Sequence, residues 1–288
     1  MKTNVAHAID NDQAARWNGR AGQAWVEAQT LLDQMLKPLE ERLLESTFVR
    51  PGDHALDVGC GTGGTTLAIA RRLSEGGACV GVDISAPMIA AAHARAEREN
   101  VSARFICGDA QTHAFEPVNF DIIISRFGVM FFDDFTQAFT NLRRAAKKSA
   151  KLRFIAWRSA AENPFMTTAE RAAAPLLPNL PPRQPDGPGQ FAFADQARVA
   201  HILAESGWVE ANIQPIDVIC TLPEKELLHY VTRLGPLGQV LPDTDDAMRA
   251  RVIETVRAAF EPYVQGEHVA FHAACWLVSA SAPSNGLS

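Results

Sequence analysis

Between His54 and Trp157 the chain switches repeatedly between two spacings of apolar residues. HALDV, ACVGVD, ARFICGD, FDIIIS and KLRFIAW are short, nearly continuous apolar runs, as expected of strands buried on both faces. TTLAIARRL, APMIAAAHARAEREN and FTQAFTNLRRAAKK, set between them, carry apolar residues three and four apart, as amphipathic helices do. Strands alternating with helices predict a parallel sheet with helices on both faces. Upstream, residues 12–48 read as helical. Leu32, Met35, Leu36, Leu39 and Leu43 fall near one face, Pro38 predicts a kink or split, and Arg50-Pro51-Gly52-Asp53 is a turn signal.

After Trp157 the pattern changes. PLLPNLPPRQPDGPGQ, from Pro175 to Gln190, is too rich in proline and glycine for a regular element and predicts a long covering loop. A helix is expected over Asp195–Ser206, stopped by Gly207, then a strand in GWVEANIQPIDVICTL. Helices over Pro223–Arg233 and Asp245–Phe260 follow, then a last strand, HVAFHAACWLVSA, and a frayed tail, SAPSNGLS. The expected fold is α/β and Rossmann-like: a seven-stranded, mostly parallel sheet with helices on both faces. Residues 1–50 would form an N-terminal helical lid and 51–158 the cofactor-binding core. Residues 159–288 would supply a helical cover and the last two strands.

Composition narrows the class. The 288 residues carry a formal charge of −6, which argues against a general nucleic-acid binder. Five scattered cysteines without a CxxC pair read as reduced core thiols. The first residues lack an apolar signal region, and no run has the roughly 18 apolar residues of a membrane span. The expectation is a cytoplasmic protein with no nucleic-acid or membrane partner. Nothing in the sequence specifies an oligomeric state.

The chemistry concentrates in ALDVGCGTGGTT, Ala55 to Thr66. A strand, a glycine turn and a helix start make a nucleotide-type site, because free N–H groups and the helix dipole meet there. Gly59, Gly61 and Gly64 satisfy the GxGxxG dinucleotide pattern, which leaves an NAD-dependent oxidoreductase as one reading. Asp57, two residues upstream, opposes it, since a carboxylate repels pyrophosphate and suits a cationic amino group. Asp83 ends the next strand, where a carboxylate can accept both hydroxyls of a ribose. Asp109 follows the third strand, within reach of an exocyclic amino group. Each acid also has a plainer reading, as turn former, helix cap and loop residue respectively.

LDVGCGTGG, VGVDIS, CGDAQ and FDIIIS, in that order and spacing, resemble the motifs of the class I S-adenosylmethionine-dependent methyltransferases. The chain is similar to the ubiquinone/menaquinone-biosynthesis-type small-molecule branch, over about Asp53 to Trp157. The resemblance implies a methyltransferase that uses S-adenosylmethionine and a small-molecule acceptor. It implies that Asp57 faces the amino end of the methionine moiety and that Gly59, Cys60, Gly61 and Gly63 form the turn around it. Asp83 would hold the ribose, Ile84 and Met88 would flank the adenine, and Asp109, Ala110 and Gln111 would meet its amino edge. Ser125, Arg126 and Phe127 would lie on the sulfonium side. The third reading it leaves open is a protein that binds S-adenosylmethionine without transferring its methyl group. One departure is visible: the family often has a Pro-Gly-Gly-type turn before the fifth strand, where this chain has AAKKSAKLRF, so a longer helix end is expected to make the turn.

Acceptor-side candidates are those that follow the strands or sit in lid and cover: Trp17, Trp25, Met130, Phe131, Trp157 and Tyr230. Met130, Phe127 and Phe131 read equally well as core packing, and Trp17 and Trp25 as helix anchors. Arg126, just after a buried strand, needs an anionic partner in the chain or in a ligand. His201, His229 and Tyr230 are the only base candidates, and each also reads as an ordinary surface or packing residue. His268 and His272 fall on a strand, too far apart to share a metal, and no metal is expected. Arg143, Arg144, Lys147, Lys148, Lys151 and Arg153 read as a solvated helix face, not a nucleic-acid patch.

Overall fold

The computed structural model describes residues 13–73, 76–180, 183 and 187–284. Residues 1–12 and 285–288, which hold the chain start and the end of the expected tail, lie outside the described residues. A helical turn over 13–18 leads into α1 (Arg20–Glu27), α2 (Gln29–Met35) and α3 (Lys37–Ser46). The helical stretch expected over 12–48 is thus broken at Gly19, Ala28 and Leu36, with Leu36 two residues before the split expected at Pro38. Pro38 sits in the first turn of α3, where its missing N–H costs nothing. Met35, Leu39 and Leu43 are fully buried beneath these helices.

The alternation predicted from the sequence follows: β1 (His54–Val58), α4 (Gly64–Ala70), β2 (Ala78–Asp83), α5 (Ala86–Glu99), β3 (Arg104–Cys107) and β4 (Phe120–Arg126). Then come α6 (Phe135–Ala145), β5 (Ala146–Trp157), α7 (Pro164–Ala173), α8 (Gln196–Glu205) and β6 (Val209–Pro223). The chain closes with α9 (Leu227–Arg233), α10 (Gly235–Val240), α11 (Asp246–Ala259), β7 (Val264–Gln265) and β8 (His268–Ser281). Strand order is β3-β2-β1-β4-β5-β8-β6, with β7 paired to β8. The first five strands are parallel, and β8 is antiparallel to both β5 and β6. The sheet has eight strands, not seven, because the chain adds the two-residue β7 as it turns into β8. Pro215 lies within β6, tolerated because β6 is the edge strand.

The turn before β5 is not made by a longer helix. α6 stops at Ala145, and the N–H groups of Val118 and Asn119 cap the carbonyls of Arg144 and Ala145. β5 then pairs irregularly, Phe120 with Ala146 but Ile122 with Lys151, and Ser149 takes φ 59° to absorb the extra residues. The basic run is consequently no single solvated face, since most of it lies on a strand whose side chains alternate. Arg143 is buried at 7%, Lys147 pairs with Asp121 at 2.6 Å, and Lys151 donates to Ser281 Oγ at 2.9 Å.

The cover is also not purely helical. β5 ends with Trp157 opposite Cys275, whereas β6 and β8 stay paired as far as Pro223 and His268. This two-stranded overhang forms one wall of the cover. Asn163, fully buried, joins it to the chain leaving β5: its Nδ2 donates to the Ala274 carbonyl and its Oδ1 accepts from the Ala274 N–H. The Arg158 N–H also donates to that carbonyl, so the Asn163 side chain supplies the acceptor that a continued β5 would have presented to the Ala274 N–H. Phe165 stacks on Phe271 at 3.9 Å and meets Phe260 and Tyr263 edge-on, which fastens α7 to the overhang and to α11.

Candidate active site

The glycine turn lies at the carboxyl end of β1, beside the turn that follows β4. Gly59 and Gly128 are glycines because the two turns touch. A Cβ on Gly59 would lie 2.5 Å from Gly128 Cα, and one on Gly128 would lie 2.4 Å from the Val58 carbonyl. The Ser125 hydroxyl fixes the same junction, donating to the Val58 carbonyl at 2.7 Å and accepting from the Gly128 N–H at 3.1 Å. Gly61 differs. It has φ +54°, and a Cβ there would meet only Met88 Sδ at 3.7 Å, so this part of the turn borders open space. Gly63 packs toward Ala92 and Phe105, and Cys60 is a buried thiol next to the turn.

Three carboxylates lie along this edge of the sheet, at the ends of β1 and β2 and after β3. Asp57 is 1% exposed and accepts from Thr66 Oγ1 at 2.7 Å. Burial pushes its carboxyl up to about 7, against the Thr66 bond and the Arg126 charge, and the charges of Asp83 and Glu40 add to the rise. Asp83 accepts from the Gly61 N–H at 2.8 Å and the Ser85 N–H at 2.9 Å, one bond on each oxygen. Burial raises its carboxyl too, despite these bonds. A carboxylate offers about four lone-pair sites, so both Asp83 oxygens retain capacity for a diol. Asp109 accepts from the Gln111 N–H and from Thr112 Oγ1, and so shapes its own turn. Gln111 is committed to α6, with Oε1 accepting from the Asp134 N–H and Nε2 donating to Gln137. Ala110 and Met88 are buried, while the Ile84 carbonyl accepts from Asn18.

The N-terminal segment closes over this edge. Ser85 Oγ donates to the Trp17 carbonyl at 2.6 Å, and Asn18 bonds both Ile84 and Ala86. Gly22 is required there, since a Cβ would fall 2.0 Å from the Trp17 carbonyl. Trp17 meets Trp25 at 6.0 Å and Phe131 at 5.2 Å, both edge-on, which ties the segment to the turn after β4. Arg20 pairs with Asp243 at 2.7 Å on the cover side. Asn18, Ser85, Thr66 and Gly128 do not stand out in the sequence as site residues. Ser85 is legible there as a helix cap; the others gain meaning only from contacts across the chain.

On the other side of the turn, Phe127 holds φ +69°, a strained value for a bulky residue, and stacks on Trp157 at 4.7 Å. Both rings are buried. Met130 is 1% exposed and belongs to the core, whereas Phe131 is half-buried. Arg126 donates only to the Leu36 carbonyl, at 3.5 Å, and among the described residues no carboxylate lies at ion-pair distance from it. Its intramolecular anionic neighbour is Asp57, on whose carboxyl its charge acts without a direct ion pair. Tyr230 is half-buried, with its hydroxyl 3.6 Å from Met166 Sδ, and burial pushes the phenol well above its ordinary value. His201 and His229 are exposed on α8 and α9, as are His268 and His272 on β8.

The start of α4 separates the two cofactor readings. A dinucleotide's pyrophosphate would need the space around this helix end. A Cβ on Gly64 would instead lie 3.0 Å from Asp33 Oδ1, 3.4 Å from Arg95 Nη1 and 3.6 Å from Glu40 Oε2, with Asp33 paired to Arg95 and Glu40 to Lys37. A helix start packed with protein groups leaves no room for a pyrophosphate bridge. The open space at Gly61 and the spare capacity of Asp83 fit S-adenosylmethionine.

Comparison with known proteins agrees. Residues 55–149 match the family model described as a methyltransferase domain. The chain is 28% identical over 255 residues to the nocamycin O-methyltransferase of Saccharothrix syringae, covering 83% of this chain and 90% of that one. It is 36% identical over 101 residues to the demethylmenaquinone methyltransferase of Lactiplantibacillus plantarum, covering 34% of this chain and 43% of the relative, so it spans less than half of that relative's length. A solved structure of Haemonchus contortus phosphoethanolamine N-methyltransferase 2 in complex with S-adenosyl-L-methionine shares the fold. Its TM-score is 0.59 at 16% identity, over 94% of this chain and 60% of that one. Among the described residues no helix is long and apolar enough to cross a membrane. With the strand order, the glycine turn and the acids at three strand ends, these likenesses support a class I S-adenosylmethionine-dependent methyltransferase, with the methyltransferase-domain pattern carried by residues 55–149.

Proposed function

We propose that the chain methylates a small organic acceptor in the cleft between the carboxyl edge of the sheet and the cover. The observation that carries this reading is the pairing of open space at Gly61 with Asp83, which holds the Gly61 N–H and keeps lone pairs free. In the bound state Asp83 would take the ribose hydroxyls on its free lone pairs. Asp57 would supply negative charge to the amino end, and Met88 and Ile84 would border the base beside Asp109 and Ala110. Gly59, Cys60, Gly63, Ser125 and Gln111 would act by holding the turns in shape, because their contacts are already made within the protein. S-adenosylmethionine supplies an activated methyl group, so the protein's work is binding and alignment.

Residues 1–50 would act as a lid, 51–158 as the cofactor core and 159–288 as the cover with the last strands. Trp17, Trp25, Phe131, Phe127, Trp157 and Tyr230 would border the acceptor and exclude water, which orients the reacting atoms. Isothermal titration with S-adenosylhomocysteine and, separately, NADH tests the reading. Saturable binding of the first alone is expected. Binding of NADH alone, or of neither by a folded sample, would overturn it.

A further inference from the structure

Arg143 carries a buried charge that the protein leaves alone. It lies in the last turn of α6 and is 7% exposed. Its Nε is sealed from solvent and has no hydrogen-bond partner. Among the described residues no acceptor bonds Nη1 or Nη2, and no carboxylate lies at ion-pair distance. Other enclosed arginines have partners. Arg95 pairs with Asp33 and Glu99, Arg158 with Glu162 and Asp217, and Arg153 donates to the Ser46, Leu152 and Ala280 carbonyls. Burial lowers the Arg143 value from its ordinary one, and no neighbouring charge among the described residues offsets that loss of hydration. A guanidinium stays charged even so, and enclosed polar groups ordinarily find partners.

Two contacts fix where the group stands. Trp208 Nε1 donates to the Phe139 carbonyl at 3.0 Å, one helical turn before Arg143. The Arg143 stem lies against Gly207, where an added Cβ would stand 4.0 Å from Arg143 Cγ. The last turn of α6 is thus docked on the turn that leads from α8 into β6. Nε is sealed at this junction, whereas Nη1 and Nη2 are not among the sealed atoms and keep access to solvent. The stem is packed and the fork opens outward, a geometry suited to two oxygens side by side. Arg143 stands three residues before β5 begins, which places it at the amino edge of the sheet, opposite the glycine turn. The charges along the chain here are mostly positive. Arg144 and Lys148 are exposed, and Lys147 is paired with Asp121. Glu205 ends α8 two residues before Gly207, yet it is exposed and forms no ion pair with Arg143.

We propose that Arg143 holds a small oxyanion, a phosphate or carboxylate group, on Nη1 and Nη2 at the amino edge of the sheet, apart from the cofactor site. The bound group would pair the charge that folding leaves alone and tie α6 to the α8–β6 turn. Such a site is independent of the reaction performed at the opposite edge.

Inorganic phosphate and acetate are the probes. Each is added to the full chain at constant ionic strength, with binding read by isothermal titration and melting by differential scanning fluorimetry. Saturable binding of at least one probe is expected, with a melting temperature that rises over the same concentrations. The stronger of the two identifies the group that the site takes. Arg143→Met keeps the stem and removes the charge, and should abolish both the binding and the rise. Arg143→Lys keeps a charge without the fork and should weaken binding about fivefold. Arg144→Met removes an exposed neighbouring charge and should respond as the unaltered protein does. No saturable binding of either probe, a response that survives Arg143→Met, or an equal loss in Arg144→Met would each overturn the proposal. If Arg143→Met does not fold, Arg143→Lys decides, and unchanged binding by that variant would overturn it.

Discussion

Gly61 and Gly128 are both glycines of the turn region, and the structure assigns them opposite consequences when a methyl group is added. At Gly128 the new Cβ would lie 2.4 Å from the Val58 carbonyl and 2.6 Å from Gly59 Cα. Both are backbone atoms, so the turns themselves must separate, and Ser125 would lose its bond to Val58 or Gly128. Overpacking of this kind costs about 1–3 kcal/mol, and the loss of a buried hydrogen bond about 1 kcal/mol more. For a chain of this size that is a fall in melting temperature on the order of 5–15 °C. At Gly61 the Cβ meets only Met88 Sδ at 3.7 Å, so the cost is confined to the left-handed backbone at φ +54°. That is about 1–2 kcal/mol, or a few degrees. The same Cβ projects into the space assigned to the cofactor, and Gly61→Ala should weaken S-adenosylhomocysteine binding at least tenfold. Differential scanning fluorimetry and calorimetric titration of both variants make the comparison. Gly61→Ala with unchanged affinity, or Gly128→Ala with unchanged melting temperature, would refute the reasoning.

Other outcomes follow from the same contacts. Asp57 has a folded-state value of about 7 against an ordinary aspartate value of 3.8. A group whose value is raised by folding stabilises the fold below its unfolded value and loses that contribution as pH rises through the folded one. Urea unfolding of the ligand-free protein should therefore weaken from pH 4 to pH 8 by at most about 4 kcal/mol from this residue, and Asp57→Asn should remove that slope. Asn163→Ala leaves the Ala274 N–H without a partner, while the Ala274 carbonyl keeps the Arg158 N–H, and should cost about 1–3 kcal/mol, read by thermal unfolding, with faster amide exchange at Ala274. Arg20→Ala breaks an ion pair whose side chains are 61% and 67% exposed, and should move the melting temperature by no more than about 3 °C.

The sheet is legible in the sequence because its strands are buried on both faces and separated by amphipathic helices, so the period itself changes at each boundary. The acids at the strand ends are legible because motif order fixes their position along the sheet edge. What a sequence cannot carry is pairing between distant segments. Asn163 reads as a helix start until Ala274 is beside it, and Gly128 reads as a loop residue until Gly59 touches it. The end of α6 reads too long because Lys147 and Lys148 continue a helical pattern, while the pairing of β5 with β4 ends the helix at Ala145. The cover reads as helical because the apolar run of β8 gives no sign that it outlasts its neighbour β5 by seven residues, Ala274 back to His268.

The central claim is that the turn at Gly61 and the acid at Asp83 hold S-adenosylmethionine. A crystal structure of the protein grown with S-adenosylhomocysteine tests it directly. The account predicts the ribose hydroxyls on Asp83, the nucleoside passing over Gly61, and the sulfur facing the side of Arg126 and Phe127. A ligand bound elsewhere, or one whose ribose turns away from Asp83, would contradict it.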